Sequence, residues 1–186
     1  TSKGAAIRFN EEDVRPMGRA TRGVRGITLE LGDRVVSMDS MQENGELLVL
    51  SENGYGKRTP LVNFRVTHRG GKGVYALRCN EKTGHLVAIE VVRPGDEMMI
   101  ISREGVIIRI NVNDISEQGR YAQGVRVIKL GDGDSVVDMA KVVSKDDEDG
   151  VEELSIFEKK YKFFLKNLVI WAKFIDGISI PSIKER

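Results

Sequence analysis

The sequence predicts an all-β, propeller-like fold made of repeated four-stranded blades, with about three blades present and a tail that can form a helix. The main observation is an internal repeat with two anchors. A first glycine, followed four residues later by arginine, occurs at Gly4, Gly54 and Gly105. A second glycine, followed directly by valine, occurs at Gly23, Gly73 and Gly124. Both anchors advance by 50 and then 51 residues, so the two patterns share one period.

Within each unit the local pattern is typical of β-strands. Residues 47–50 and 98–101 are short apolar runs that end at glycine-containing turns, and such turns suit tight hairpins because glycine tolerates positive φ. In the strand that follows the turn at residues 103–105, Val106, Ile108 and Ile110 share one face. Two further strands follow, for example over residues 124–130 and 135–143. Four strands in about 50 residues match the size of a propeller blade.

The repeat divides the chain into units at about residues 2–50, 51–101 and 102–143. A single blade cannot bury its own faces, so the blades must stack on one another. Three blades do not close a disc and the chain has no initial methionine, so we expect a segment of a longer array.

Residues 144–186 differ from the repeats. An acidic run at 145–149 predicts a solvated linker, and residues 154–174 combine aromatic residues with lysines in a pattern that an amphipathic helix can adopt. Such a helix could dock on a partner or a membrane surface. The simpler interpretation is a divergent C-terminus without a dedicated role.

Composition narrows the function classes. The net charge is only +1, with 29 basic and 28 acidic residues, so nucleic-acid binding would have to depend on where the charges lie. The lone cysteine, Cys79, excludes an internal disulfide and favours the cytoplasm. No run approaches the roughly 20 apolar residues of a membrane span.

Residues suited to catalysis or metal binding form no recognisable arrangement. His68 and His85 lie in turn-like segments, and no second pair of ligands has a suitable spacing. Residues 70–73, Gly-Gly-Lys-Gly, lack the frame of a phosphate-binding loop. We therefore expect no catalytic residue, no metal site and no cofactor in this chain.

Basic residues recur around the second glycine. The position four residues before it is occupied by Arg19, Arg69 and Arg120. The position directly before it is occupied by Arg22, Lys72 and Gln123. The position two residues after it is occupied by Arg25, Tyr75 and Arg126. Acidic residues concentrate elsewhere, so the surface is predicted to be polarised.

Equivalent turns of successive blades come round on one rim, so these turns predict a curved positive stripe. Such a stripe binds DNA through phosphates rather than bases, and turn glycines let the backbone approach closely. The alternative is that these are ordinary solvated turn charges. The predicted DNA-binding residues are Arg19, Arg22, Arg25, Lys57, Arg58, Arg69, Lys72, Arg120 and Arg126.

Residues 67–73, Thr-His-Arg-Gly-Gly-Lys-Gly, resemble the box Gln-Arg-Arg-Gly-Gly-Arg/Lys-Gly of bacterial DNA gyrase A subunits, with Thr67 and His68 as departures. Residues 53–59 and 14–19 are also similar to blade sequences of this family. The resemblance covers residues 1 to about 143 and implies a β-pinwheel C-terminal domain. Because the box copies are degenerate, it also implies the last three of six units.

The resemblance implies that this segment wraps DNA and is non-catalytic within an ATP-dependent type II topoisomerase that introduces negative supercoils. The implied partners are double-stranded DNA, the gyrase B subunit and a second gyrase A subunit. ATP and Mg²⁺ are implied on other parts of the holoenzyme, and the implied location is cytoplasmic and chromosome-associated. Three alternatives stay open. They are the equivalent domain of the topoisomerase IV A subunit, a propeller-type protein-interaction scaffold, and an enzyme that uses the tail or the two histidines.

Overall fold

The computed structural model describes residues 1–41 and 44–142, and the predicted acidic linker and helical tail lie outside the described residues. Within that part the regular elements are β-strands and single 3₁₀ turns, which confirms the all-β class. The 3₁₀ turns are Glu11–Asp13, Leu61–Asn63 and Val112–Asp114. The strands are β1 (Ala5–Ala6), β2 (Glu46–Ser51), β3 (Tyr55–Pro60), β4 (Val74–Tyr75), β5 (Leu86–Val92), β6 (Glu97–Ser102), β7 (Ile107–Asn111), β8 (Val125–Arg126) and β9 (Val136–Val142).

Two antiparallel hairpins repeat the same register. In the first, Leu48 of β2 lies opposite Arg58 of β3. In the second, Met99 of β6 lies opposite Arg109 of β7, at positions 51 residues further along. Each central strand also pairs with the long strand that follows the hairpin, and a bulge interrupts both pairings next to the serine at the end of β2 or β6. The sequence period is therefore a structural period.

Buried serines close the hairpin turns. The Ser51 hydroxyl donates to the carbonyl of Tyr55 at 3.0 Å and accepts from the Tyr55 amide at 3.3 Å. At the equivalent turn, the Ser102 hydroxyl accepts from the Val106 amide at 3.2 Å. Both serines are at most 2% exposed, so these bonds satisfy polar groups that water does not reach.

The described sheets draw strands from neighbouring units. The largest has the order β5-β2-β3-β8. By the predicted bounds it takes β2 from the end of the first unit, β3 and β5 from the second unit and β8 from the third. Likewise, β1 of the first unit pairs with β4 of the second. The strand predicted over 124–130 is confined to Val125–Arg126, because only Tyr55 and Gly56 of β3 pair with it. This pairing ties each unit to the one before it.

The apolar core lies on both faces of β2. Leu48 and Leu50 belong to a cluster that includes Met98 and Ile100 of β6. The alternate residues Leu47 and Val49 belong to a second cluster built on the other side. Because side chains alternate across a strand, a strand covered on both faces must be apolar throughout. The sequence run at 47–50 has that composition.

Candidate nucleic-acid interface

Three stretches in register form the candidate interface. We call residues 15–25 the first basic loop, 65–75 the second and 116–126 the third. Gly73 and Gly124 have φ of +78° and +83°, and a Cβ at either would lie 2.5 Å from a carbonyl oxygen of the preceding unit. Only glycine fits a backbone that is both left-handed and this close to its neighbour. The two glycines therefore allow the second and third loops to pack closely against the backbone of the preceding unit.

The second basic loop is hydrogen-bonded to the chain directly after the first basic loop. The Gly70 amide donates to the Gly26 carbonyl at 2.6 Å, and the Thr28 amide donates to the Gly71 carbonyl at 2.8 Å. The Thr28 hydroxyl also donates to the Gly70 carbonyl, at 2.6 Å. These hydrogen bonds attach the second basic loop to the residues that directly follow the first.

The Arg69 side chain hydrogen-bonds to Arg25 of the first basic loop and to Asp13, which precedes that loop. Its Nε donates to the Asp13 carbonyl at 2.9 Å, and its Nη1 donates to the Arg25 carbonyl at 3.1 Å. The side chain is half-buried as a result. A phosphate could still meet the remaining N–H groups, since a guanidinium has five donors.

Seven of the nine predicted cations lie where a ligand could reach them. The exposed ones are Arg19, Arg22, Arg25, Lys72 and Arg126. The half-buried ones are Arg69 and Arg120. Among the described residues, no carboxylate forms an ion pair with any of these seven, because the acids in the ion pairs are Asp13, Glu46, Asp96 and Glu97, each with another partner. Within the described residues, none of these seven cations is therefore neutralised by a direct ion pair.

The third loop carries aromatic contacts that the repeat pattern does not reveal. Arg126 donates to the Tyr55 hydroxyl at 3.2 Å, and this bond is the main reason that the pKa of Tyr55 is lowered. Lys82 lies 5.2 Å from the centre of the same ring. Arg120 lies 5.1 Å from the ring centre of Tyr121. These contacts escape sequence reasoning because Tyr55 and Lys82 have no counterparts of their type in the other units.

A cleft of about 770 Å³ is lined by one residue of the second basic loop, one of the third, and otherwise by residues outside both loops, among them Glu30, Glu52 and Glu81. Tyr75, at the end of the second loop, and Tyr121, within the third, both line it. These two residues are 56% and 70% exposed, respectively. The first basic loop is thus in contact with the second, and the second and third loops each contribute one residue to this cleft.

Lys57 and Arg58 require a correction. Lys57 is fully buried, and its ammonium donates to the carbonyls of Gly119 and Arg120 at 2.6 and 2.8 Å. Desolvation, with a smaller contribution from the Arg120 charge, lowers its pKa to about 8. The Arg58 guanidinium, 13% exposed, contacts Glu46 and the Ile115 carbonyl. As consecutive residues of β3 they extend to opposite faces of the strand, and each is buried against partners from elsewhere in the chain, so neither lies on the exposed surface of a basic loop.

Histidine, cysteine and acidic side chains of the described residues do not gather into a metal site. No group of three or more of them there could hold a metal ion. His68 is exposed and lies 3.6 Å from Asp13. No helix in the same part of the chain is long and apolar enough to cross a bilayer.

Comparisons with known proteins agree with this geometry. Residues 1–40, 45–93 and 96–142 match the family described as DNA gyrase C-terminal domain, beta-propeller. The DNA gyrase A subunit of Staphylococcus aureus (strain MRSA252) is 48% identical over 157 residues, which cover 83% of this chain and 18% of that protein. The chain thus spans less than a fifth of the length of this relative.

Two solved structures have the same fold. A DNA gyrase A C-terminal domain superposes with a TM-score of 0.73 at 37% identity, covering 76% of this chain and 48% of that one. The C-terminal domain of a DNA topoisomerase IV gives 0.70 at 27% identity, covering 76% and 44%. The chain belongs to the family of DNA gyrase C-terminal domains with the beta-propeller fold.

Proposed function

We propose that this chain binds and bends double-stranded DNA along its three basic loops. The observation that carries the proposal is that seven reachable cations recur in register on the three basic loops, without ion-pair partners among the described residues. Strand pairing holds the ends of the second and third loops, through β4 and β8. We assign DNA contacts to Arg19, Arg22, Arg25, Arg69, Lys72, Arg120 and Arg126.

The physical basis is phosphate neutralisation. Duplex DNA carries about one charge per 1.7 Å of axis, and cations that bind phosphates release condensed counterions. Bending roughly 20–30 base pairs by 40–90° costs on the order of 1–6 kcal/mol, which several such contacts offset. Because phosphates carry no sequence information, binding should depend on DNA flexibility rather than on base identity.

We further propose that the chain works as the non-catalytic, DNA-wrapping part of the A subunit of a type II topoisomerase. In that setting the protein partners are the B subunit and a second A subunit, ATP and Mg²⁺ act elsewhere in the holoenzyme, and the location is the chromosome in the cytoplasm. Residues 1–143 then serve as three blade units at about 2–50, 51–101 and 102–143. The 48% identity to a gyrase A subunit favours gyrase over topoisomerase IV.

Binding can be tested with the 186-residue chain and labelled duplexes of equal length but different sequence and flexibility. Fluorescence anisotropy over a salt series should give one steep dependence for all sequences, with a slope of about 0.9 per phosphate contact. Intrinsically bent or nicked duplexes should bind more tightly than straight ones. An affinity that ignores salt, or no affinity in dilute buffer, would favour the interaction-scaffold alternative instead.

The gyrase assignment needs a separate test in a holoenzyme. A type II topoisomerase whose own C-terminal domains are replaced by domains containing this chain should introduce negative supercoils into relaxed plasmid with ATP. Relaxation and decatenation without supercoiling would instead indicate the topoisomerase IV activity.

A further inference from the structure

Lys57 is a buried lysine that has no counterpart in the other units. The equivalent positions, 50 residues before and 51 residues after, hold Ile7 and Ile108. Removing a charged ammonium from water is costly unless hydrogen bonds replace the lost hydration. Here the partners are two main-chain carbonyls of the third basic loop. The Lys57 ammonium therefore has its hydrogen-bond partners in the third basic loop.

Lys57 is part of a row along one face of β3. Side chains at alternate positions of a strand share a face, so Tyr55, Lys57 and Thr59 point the same way. Thr59 is also fully buried, and its hydroxyl donates to the Gln118 carbonyl at 2.8 Å. At the other end of the row, Tyr55 accepts a hydrogen bond from Arg126. The row thus holds the third loop near both of its ends.

The second basic loop is held differently. There, Arg69 uses its own guanidinium to fasten the loop to the carbonyls of Asp13 and Arg25. Arg120 occupies the same repeat position in the third loop. Its backbone carbonyl is fastened by Lys57, while its guanidinium lies over the Tyr121 ring. Because Lys57 of β3 holds the loop backbone, the Arg120 guanidinium is not needed for that role and its donors remain for a ligand.

We propose that Lys57 is a positioning residue for DNA binding, which holds the third basic loop so that Arg120 and Arg126 can reach phosphates. This inference rests on the proposed function. Lys57 itself touches no DNA; it acts through the carbonyls of Gly119 and Arg120. Charge-assisted hydrogen bonds in a buried site are strong. Because both acceptors belong to the third basic loop and not to a strand, their loss should loosen the loop rather than the sheet.

The experiment compares Lys57→Met with Ile108→Met in the 186-residue chain. Methionine removes the charge and all donors while keeping an unbranched side chain of similar length. Ile108→Met introduces the same residue at the equivalent position of the next unit. Amide hydrogen exchange, circular dichroism and salt-dependent DNA anisotropy are measured for both variants and for the parent chain.

In Lys57→Met, amides of residues 118–126 should exchange faster while amides of β2 and β6 keep their protection. DNA affinity should fall about ten-fold, and the salt slope should become shallower by up to about two contacts. Ile108→Met should match the parent in loop exchange and in DNA affinity. Unchanged loop exchange and affinity in Lys57→Met would overturn the positioning role.

If Lys57→Met does not fold, Thr59→Val tests the same row, because valine keeps the shape of threonine and removes its donor. Faster exchange confined to residues 118–126 then supports the positioning role, and unchanged exchange there refutes it. A parent chain that shows no salt-dependent DNA binding refutes the proposed function and the DNA role of Lys57 together. Loop exchange would still report whether Lys57 fastens the loop.

Discussion

The Nη1 atom of Arg58 lies 2.6 Å from Oε2 of Glu46, and the two side chains are only 13% and 12% exposed. A second pair, Arg109 with Glu97, occupies the same positions 51 residues later but is 61% and 37% exposed. The segment that leads into the third basic loop accounts for the difference, because the carbonyls of Ile115 and Ser116 accept hydrogen bonds from Arg58. One sequence pattern therefore gives a buried ion pair in one unit and a surface pair in the next.

Glu46→Gln should destabilise the fold markedly. It leaves the buried Arg58 guanidinium without its counter-charge, and breaking a buried pair in this way costs about 3–5 kcal/mol. Chemical denaturation followed by circular dichroism measures the loss. Glu97→Gln is the matched control and should cost less than about 1 kcal/mol, since an exposed pair is screened by water. Equal losses for the two variants would contradict this account of burial.

Stability should rise with pH above about 8 because of Lys57. Its pKa in the folded chain is about 8, below its ordinary value of 10.5. Between these values the unfolded chain binds more protons than the folded one, so the free energy of unfolding increases with pH, by at most about 1.4 kcal/mol per unit. Below pH 8 both states are protonated and the contribution is constant.

Denaturation curves at pH values from about 7 to about 10, for the parent chain and for Lys57→Met, isolate this contribution. The difference between the two unfolding free energies should change across that range, whereas effects of other titrating groups cancel. A difference that stays constant over the whole range would mean that the Lys57 ammonium is not desolvated.

Gly124→Ala should cost more than Gly105→Ala. Both glycines have positive φ, +83° and +84°, so alanine is strained at either position. A Cβ at Gly124 would also lie 2.5 Å from the Gly56 carbonyl oxygen, whereas nothing lies within 4 Å at Gly105. We expect about 1–2 kcal/mol for strain alone and about 3 kcal/mol or more with the clash. Thermal melting of the two variants checks the order.

Lys72→Ala should weaken DNA binding without changing stability. Lys72 is exposed, and we expect a loss of about one phosphate contact, with a shallower salt slope for every sequence. Arg69→Ala should weaken DNA binding more, because it also removes the hydrogen bonds from the second basic loop to the carbonyls of Asp13 and Arg25. Arg93, an exposed residue in the turn between β5 and β6, is the control and should bind DNA normally as Arg93→Ala. A Lys72→Ala variant that binds like this control would remove Lys72 from the interface.

Much of the fold could be read from local patterns. The glycine anchors revealed the period, and the apolar runs at 47–50 and 98–101 became β2 and β6. These features are visible because hairpin turns and strand alternation depend on residues close in sequence. The basic turns were visible for the same reason, since each unit repeats them.

The sequence by itself determined the β class, the repeat and the positions of the charged loops. Only the tertiary structure decided which cations point outward. Lys57 and Arg58 look like their basic neighbours in sequence, yet residues far along the chain, at 115–120, cover them and supply carbonyl partners. The pairing of strands from different units could not be predicted either, because β8 pairs with β3 through Tyr55 and Arg126, which are far apart in sequence. Burial and pairing across such separations depend on how units stack, and no local pattern encodes that geometry.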